Sequence, residues 1–202
     1  MMDLASPVPL LRASVSLNAL IHDSVALLKA DLDRRRVGWT LDLDPSLPNI
    51  QGDPVRLAEA VGNLLRNAAE AADREVRVRT RLCPEGRYLE EGRDRGLALR
   101  LDVQDDGIGI SPDAEHDLFV PFATTKLEGN GLGLFVTRLA VEDHAGRIDV
   151  RPRPDAHEAL GAGGACFSLI LFERLPIPPM VSEVARDQGR RRPSTSALET
   201  HP

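Results

Sequence analysis

The hydrophobic positions of this chain change period several times, and each change predicts an element. Leu17, Leu20, Ile21, Ser24, Leu27, Leu28 and Leu32 recur at three and four residues, which predicts a helix over 17–35. Val37, Trp39, Leu41 and Leu43 alternate with polar residues, as in a half-buried strand. "PSLPNIQG" reads as a turn. Asp53 then supplies an N-cap and Pro54 a first helical residue, opening a helix through "VRLAEAVGNLLRNAAEAA". "EVRVRTRL" alternates again, with Val76, Val78, Thr80 and Leu82 on one face and Arg77, Arg79 and Arg81 on the other. "CPEGRYLEEGRDRG" reads as a polar hairpin loop, and "LALRLDVQ" as the return strand.

Beyond that strand come "DDGIGI", a short acidic helix near "PDAEHDLF", and a polar loop, "PFATTKLEGNG". The helix "LGLFVTRLAVEDHAG" follows, with Gly146 expected as its C-cap. "RIDVRP" and "GACFSLILF" are two further strands joined by a Pro/Gly-rich turn. Residues 1–15, with Pro7 and Pro9, are expected to be a linker, 16–175 a folded domain, and the polar, proline-punctuated stretch 176–202 a disordered tail. Grouped helices and antiparallel-looking strands predict an α+β two-layer sandwich, a sheet packed on helices.

Composition narrows the partners. Among 202 residues, 31 acidic side chains against 25 basic ones leave a net charge of −6, which disfavours nucleic acid or an anionic membrane as the main partner. Cys83 and Cys166 are far apart and in no metal spacing, as expected of two thiols in a reducing compartment. No apolar run approaches the roughly 20 residues of a membrane span, so a cytoplasmic location is expected, as a soluble protein or as the soluble end of a longer one.

Candidate chemistry gathers in four segments. Gly129, Gly131 and Gly133 occupy alternate positions just before a helix, where backbone N–H groups can approach a phosphate. A dinucleotide fingerprint would need a strand immediately before the glycines, and the preceding residues are a polar loop. The P-loop pattern is absent. A flexible loop without a ligand is the plain alternative. In "NLLRNAAEA", Asn63 and Asn67 stand four apart and share a helix face, and a carboxamide oxygen suits Mg²⁺. In "DDGIGI", Asp105, Gly107 and Gly109 follow a strand end; the carboxylate can accept from an exocyclic amine, although an Asp-Gly turn is common. In "FVPF" and "ATTK", Phe119 and Phe122 could anchor a mobile loop carrying Thr124, Thr125 and Lys126.

In this order, "NLLRNAAEA", "DDGIGI", "FVPF", "GNGLGL" and "GGACFSL" resemble the N, G1, F, G2 and G3 boxes of sensor histidine kinases, and more broadly the GHKL ATPases with the Bergerat-type ATP-binding fold. The resemblance covers roughly residues 15–173, and the short lid is similar to that of the nitrogen-regulation kinases. It implies that Asn67 coordinates Mg²⁺ and that Asn63 contacts the triphosphate or its metal shell. Asp105 would accept from the adenine amino group in a pocket shaped by Gly107 and Gly109. Thr125 and Lys126 would sit on the lid, with Lys126 neutralising charge near the β- and γ-phosphates. Gly129, Gly131 and Gly133, with the helix beginning at Leu132, would hold phosphate oxygens. Asn63, Asn67 and Lys126 would be the catalytic set, with ATP and Mg²⁺ as cofactors.

Hydrolysing members of the superfamily carry a Glu, acting as general base, where this chain has Asn63. A carboxamide cannot take a proton, so transfer to a histidine imidazole is the implied chemistry. Two departures stand out. Glu70 occupies a position where many histidine kinases have Lys. No phosphoacceptor motif is found: "HDSVAL" at His22 lacks the proline and lies too near the N box, and His144 reads as a structural residue at a helix end. The expected partners are therefore a phosphoacceptor (dimerisation) domain in cis or in trans and a response-regulator receiver domain, with the isolated domain a monomer. A docking module without ATP turnover, and a GHKL protein-serine kinase or anti-sigma factor, remain as alternative readings.

Overall fold

The computed structural model describes residues 11–90, 93–111, 117–122, 131–152 and 163–174. The elements run β1 (Ala13–Val15), α1 (Leu17–Arg35), β2 (Gly38–Leu43), β3 (Ile50–Gly52), α2 (Pro54–Ala71), β4 (Glu75–Glu90), β5 (Arg93–Asp105), α3 (Gly133–Asp143), β6 (Arg147–Pro152) and β7 (Ala165–Phe172). A five-stranded mixed sheet has the order β2-β4-β5-β7-β6. Its β2–β4 pair is parallel and the other three pairs are antiparallel. Helices cover one face, giving the α+β two-layer arrangement expected.

The period-2 segments place their apolar sides as read. Val76, Val78, Leu99, Leu101, Val103, Phe167, Leu169 and Leu171 are buried in one core cluster. They meet the seven buried residues of α2: Leu57, Ala60, Val61, Leu64, Leu65, Ala68 and Ala69. Asp53 caps α2 as expected: its Oδ1 accepts from the N–H groups of Val55 and Arg56 at 3.0 and 3.2 Å.

Four readings need correction. Residues 13–15, expected as the end of a linker, form β1 and pair antiparallel with β3, which lies in the stretch taken for a turn. The "polar hairpin loop" is largely strand, since β4 continues to Glu90 and β5 begins at Arg93. Arg95, within that stretch, is 1% exposed. Its guanidinium donates to the carbonyls of His144 and Ala145 and lies 4.6 Å from the Phe172 ring centroid, a cation at the negative end of α3.

The end of α3 is the fourth. The left-handed residue is Ala145, with φ 51°, not Gly146. The N–H of Ala145 bonds Glu142 O and that of Gly146 bonds Val141 O, a Schellman arrangement. Gly146 is needed for space instead: an added Cβ would meet Ile170 O at 2.4 Å.

His144 is structural, as read from the sequence, and its contacts explain why. It is 3% exposed. Its Nδ1–H donates to Ala140 O at 2.6 Å, and its Nε2 accepts from the Asp53 backbone N–H at 2.8 Å. That pairing fixes one neutral tautomer. Gly52 admits the ring, because a Cβ there would lie 2.9 Å from it. The end of α3 is thereby clamped to the start of α2. Replacing His144→Ala leaves a buried N–H and a carbonyl short of partners and is expected to cost about 2–4 kcal/mol. Urea denaturation checks this; a change within about 0.5 kcal/mol, the usual range for surface positions, would show that the clamp contributes little.

Candidate functional site

Asn63 and Asn67 lie on the partly exposed side of α2, while Leu64, Leu65, Ala68 and Ala69 face the core. Asn63 reaches the start of α3: its Nδ2 donates to Gly133 O at 3.3 Å. Helix α3 begins there without a side-chain cap, with Leu132 at the N-cap. Gly131, one residue earlier, has φ 65° and its carbonyl accepts from the Phe122 N–H at 3.1 Å. Gly133 has room for a Cβ, which would lie 3.6 Å from Asn63 Cγ. Steric fit against the described atoms therefore does not require glycine at 133, whereas the positive φ at 131 favours it.

The two phenylalanines behave differently. Phe119 is partly buried and packs on the core. Phe122 is 74% exposed and carries φ 67°, a strained conformation for a bulky residue. Its backbone, rather than its ring, makes the connection to Gly131. Thr124, Thr125, Lys126 and Gly129 lie outside the described residues, as do 112–116 of the expected acidic helix and residues 176–202; 117–119 form a turn.

At the end of β5, Asp105 is 2% exposed. Its Oδ1 accepts from the N–H of Gly107 at 3.0 Å and of Ala165 at 3.4 Å. The loop after it is packed backbone against backbone. A Cβ on Gly107 would meet Ala71 O at 2.0 Å, one on Gly163 would meet Gly107 O at 2.5 Å, and Gly109, with φ 78°, lies against Gly164. The "GGACFSL" segment thus earns its glycines by closing on "DDGIGI". Asp105, Gly107 and Gly109 share one wall beside the C-terminal end of α2, while Asn63, Gly131, Leu132 and Gly133 meet farther toward its middle.

Asp106 was not singled out from the sequence as a functional residue. Its Oδ1 accepts from the backbone N–H groups of Asp73, Arg74 and Glu75, each at 3.0 Å. The signal available was a second acid directly after Asp105, facing the exit of α2. Burial pushes its pKa up, but the hydrogen bonds from Arg74, Glu75 and Asp73 outweigh it and the net shift is downward.

A groove of about 780 Å³ between α1 and α2 is lined by Leu20, Ser24, Leu28, Gly62 and Asn63, among others. It meets the candidate site at Asn63, and its lining includes none of Asp105, Gly107, Gly109, Gly131 and Gly133. Among the described residues no three or more His, Cys, Asp or Glu side chains gather as a metal cage. No described helix is long and apolar enough to cross a membrane. Cys83 and Cys166 are not joined in a disulfide.

The family described as histidine kinase-, DNA gyrase B- and HSP90-like ATPases matches residues 52–175. The chain belongs to this family. The curated relatives it matches include sensor histidine kinases. The chain is 33% identical over 171 residues to the sensor histidine kinase ZraS of Escherichia coli O157:H7, covering 85% of this chain and 34% of that protein. It is 33% identical over 149 residues to the sensory histidine kinase/phosphatase NtrB of Salmonella typhimurium, covering 72% of this chain and 42% of NtrB. The chain thus spans about a third of the length of the ZraS relatives. In fold, the chain resembles the catalytic domain of histidine kinase ThkA, with a TM-score of 0.65 at 23% identity, covering 81% of this chain and 97% of that one. Full-length ShkA, solved in complex with AMPPNP, gives 0.67 at 23% identity, covering 84% of this chain and 33% of that one.

Asp106→Ala is expected to lower stability at neutral pH by about 1–2 kcal/mol, since three N–H groups lose a charged acceptor. A carboxylate with a lowered folded pKa contributes fully above its unfolded value, near pH 4, and loses that contribution as pH falls through the folded value. The gap between wild type and variant should therefore close only in acid below about pH 4. Urea midpoints across pH test this; a gap that is constant down to full protonation would contradict it.

Proposed function

We propose that this domain binds ATP with Mg²⁺ and transfers the γ-phosphoryl group to a histidine of a phosphoacceptor element, in cis or in trans. The observation that carries the reading is the meeting of Asn63 with the uncapped start of α3 at Gly133, on the same helix that ends beside Asp105. That arrangement suits a ligand with a purine at one end and phosphates at the other. Family membership and the kinase relatives support it.

The parts then have distinct tasks. Asp105 accepts from the exocyclic amine of adenine, in a pocket held rigid by Gly107 and Gly109 against the neighbouring backbone. Gly131, Leu132 and Gly133 present N–H groups and the positive end of α3 to phosphate oxygens. Lys126, with Thr125 and Gly129, supplies charge and further donors from the chain segment between Phe122 and Gly131. Mg²⁺ fits this donor set, because it is ordinarily held by one or two protein oxygens and the substrate phosphates rather than by a protein cage. Asn67 would hold it directly, with Asn63 contacting its hydration shell or the phosphates. When bound, the ion would neutralise charge on the phosphates. No carboxylate stands at position 63 to deprotonate water, so catalysis rests on positioning and charge, and the proton-free lone pair of an imidazole is a suitable nucleophile. The expected partners are a helical phosphoacceptor domain and a receiver domain of a response regulator, in the cytoplasm where ATP is supplied.

Calorimetric titration with ADP and a non-hydrolysable ATP analogue, with and without Mg²⁺, tests the site. Asp105→Asn should abolish measurable binding, and Asn67→Ala should remove the Mg²⁺ dependence. Adding a phosphoacceptor hairpin and ATP should then produce an acid-labile phosphoryl label, as expected for phosphohistidine. Absence of wild-type binding at millimolar nucleotide would instead leave a docking module, and an acid-stable label would point to a serine kinase.

A further inference from the structure

Thr137 lies within α3, 0% exposed, one turn from the candidate phosphate end. Its hydroxyl is 2.8 Å from Gly133 O and 3.4 Å from Ala60 O. Its one proton goes mainly to Gly133 O, with Ala60 O of α2 as the second, weaker acceptor of a bifurcated bond. Gly133 O also accepts from Asn63 Nδ2. One carbonyl is thus shared by a buried hydroxyl and the carboxamide placed next to the phosphates.

This sharing has a chemical consequence. A carbonyl oxygen only accepts, so the edge of Asn63 that faces it must be its NH₂ edge. The carboxamide oxygen is left for something else. Asn63 Oδ1 stands 3.8 Å from where a Cβ of residue 133 would be, so with glycine there no side-chain carbon of that residue lies against the oxygen. An oxygen acceptor is what a hydrated divalent cation needs from a protein side chain; an NH₂ group presented there would repel it.

We propose that Thr137 is a positioning residue: by holding the Gly133 carbonyl against α2, it fixes the Asn63 carboxamide with its oxygen toward the cation–phosphate end of the site. The inference rests on the ATP reading given above and deepens it. Thr137 itself touches neither nucleotide nor metal; it acts through Gly133 and Asn63. Loss of its hydroxyl frees the carbonyl to shift and the carboxamide to turn, while the adenine wall at Asp105 is untouched.

Thr137→Val removes the hydroxyl at nearly constant volume. In the full chain it should leave the circular dichroism spectrum and the Mg²⁺-free affinity for ADP within about twofold of wild type. The Mg²⁺-dependent gain in affinity for a non-hydrolysable ATP analogue should fall about fivefold, the worth of one hydrogen bond. Thr137→Ser should restore it. In an Asn63→Ala background, Thr137→Val should add nothing, because the residue through which it acts is gone. Should Thr137→Val fail to fold, Thr137→Ala is read in the same way. The Asn63 side-chain NH₂ signals in the NMR spectrum give a readout independent of nucleotide, and they should shift in Thr137→Val and return in Thr137→Ser. An unchanged Mg²⁺-dependent affinity, or an equal loss in both Asn63 backgrounds, would overturn the proposal while the ATP site stands. Absence of nucleotide binding by the wild type would sink the ATP reading itself and this role with it.

Discussion

The site's geometry depends on a short clamp between two helices, the hydrogen bond from the Asp53 backbone N–H to His144 Nε2. It pins the end of α3 to the start of α2, and the two helices run back antiparallel from there. Gly133 and His144 are separated by the 11 residues of α3; Asn63 lies a comparable stretch beyond Asp53. At 1.5 Å per residue these distances are about 17 and 15 Å, so the start of α3 must arrive beside Asn63. Further contacts hold that register: the Thr137 hydroxyl near Ala60 O and an ion pair between Arg56 and Asp143. Much of the placing of backbone N–H groups next to a carboxamide is thus done at the opposite ends of both helices, in contacts that need never meet a ligand.

The other end of α2 is held by different means. Arg35 of α1 donates to the carbonyls of Ala69 and Glu70 in the last turn of α2, and Asp106 gathers the three N–H groups that follow the helix. Gly107 then packs so closely on Ala71 O that a side chain is excluded. Asp105 is consequently fixed between a helix end and the backbone of β7, with its Oδ1 committed to two N–H groups. A carboxylate held this way has little freedom to follow a misfitting ligand, a property suited to reading one edge of a flat ring.

Much of this was legible from residue spacing. Helices α1 and α2, the alternating strands, the Asp53–Pro54 start and the structural role of His144 follow from periodicity and cap chemistry, which act locally. The misses share a cause. Three-residue strands such as β1 and β3 are too short to display alternation, and they exist because each finds the other across the chain. The sequence from Cys83 to Gly96 mixes charged residues with a proline and glycines and shows no sustained alternation, so nothing in the pattern separates strand from loop there. Propensity points to Gly146 as the C-cap, yet Ala145 takes the left-handed conformation and the glycine answers instead to a carbonyl on β7. Thr137 gave no signal at all, since a threonine inside a helix turns polar or structural only once its neighbours on α2 are known.

The identity of residue 63 also bears on what the proposed site can do alone. Around the phosphate end the described groups are backbone N–H, a carboxamide and a buried hydroxyl, none of which exchanges a proton near neutral pH. Such groups can orient and stabilise a phosphoryl group in transit, but they cannot convert water into hydroxide. A bound nucleotide would be held in a reactive geometry and still wait for a nucleophile that is already basic. Neutral imidazole meets that requirement without help, whereas water and the serine hydroxyl do not. Within the proposed function, restraint against hydrolysis and competence for transfer to histidine are then two results of one substitution, an amide where a water-activating site would place an acid.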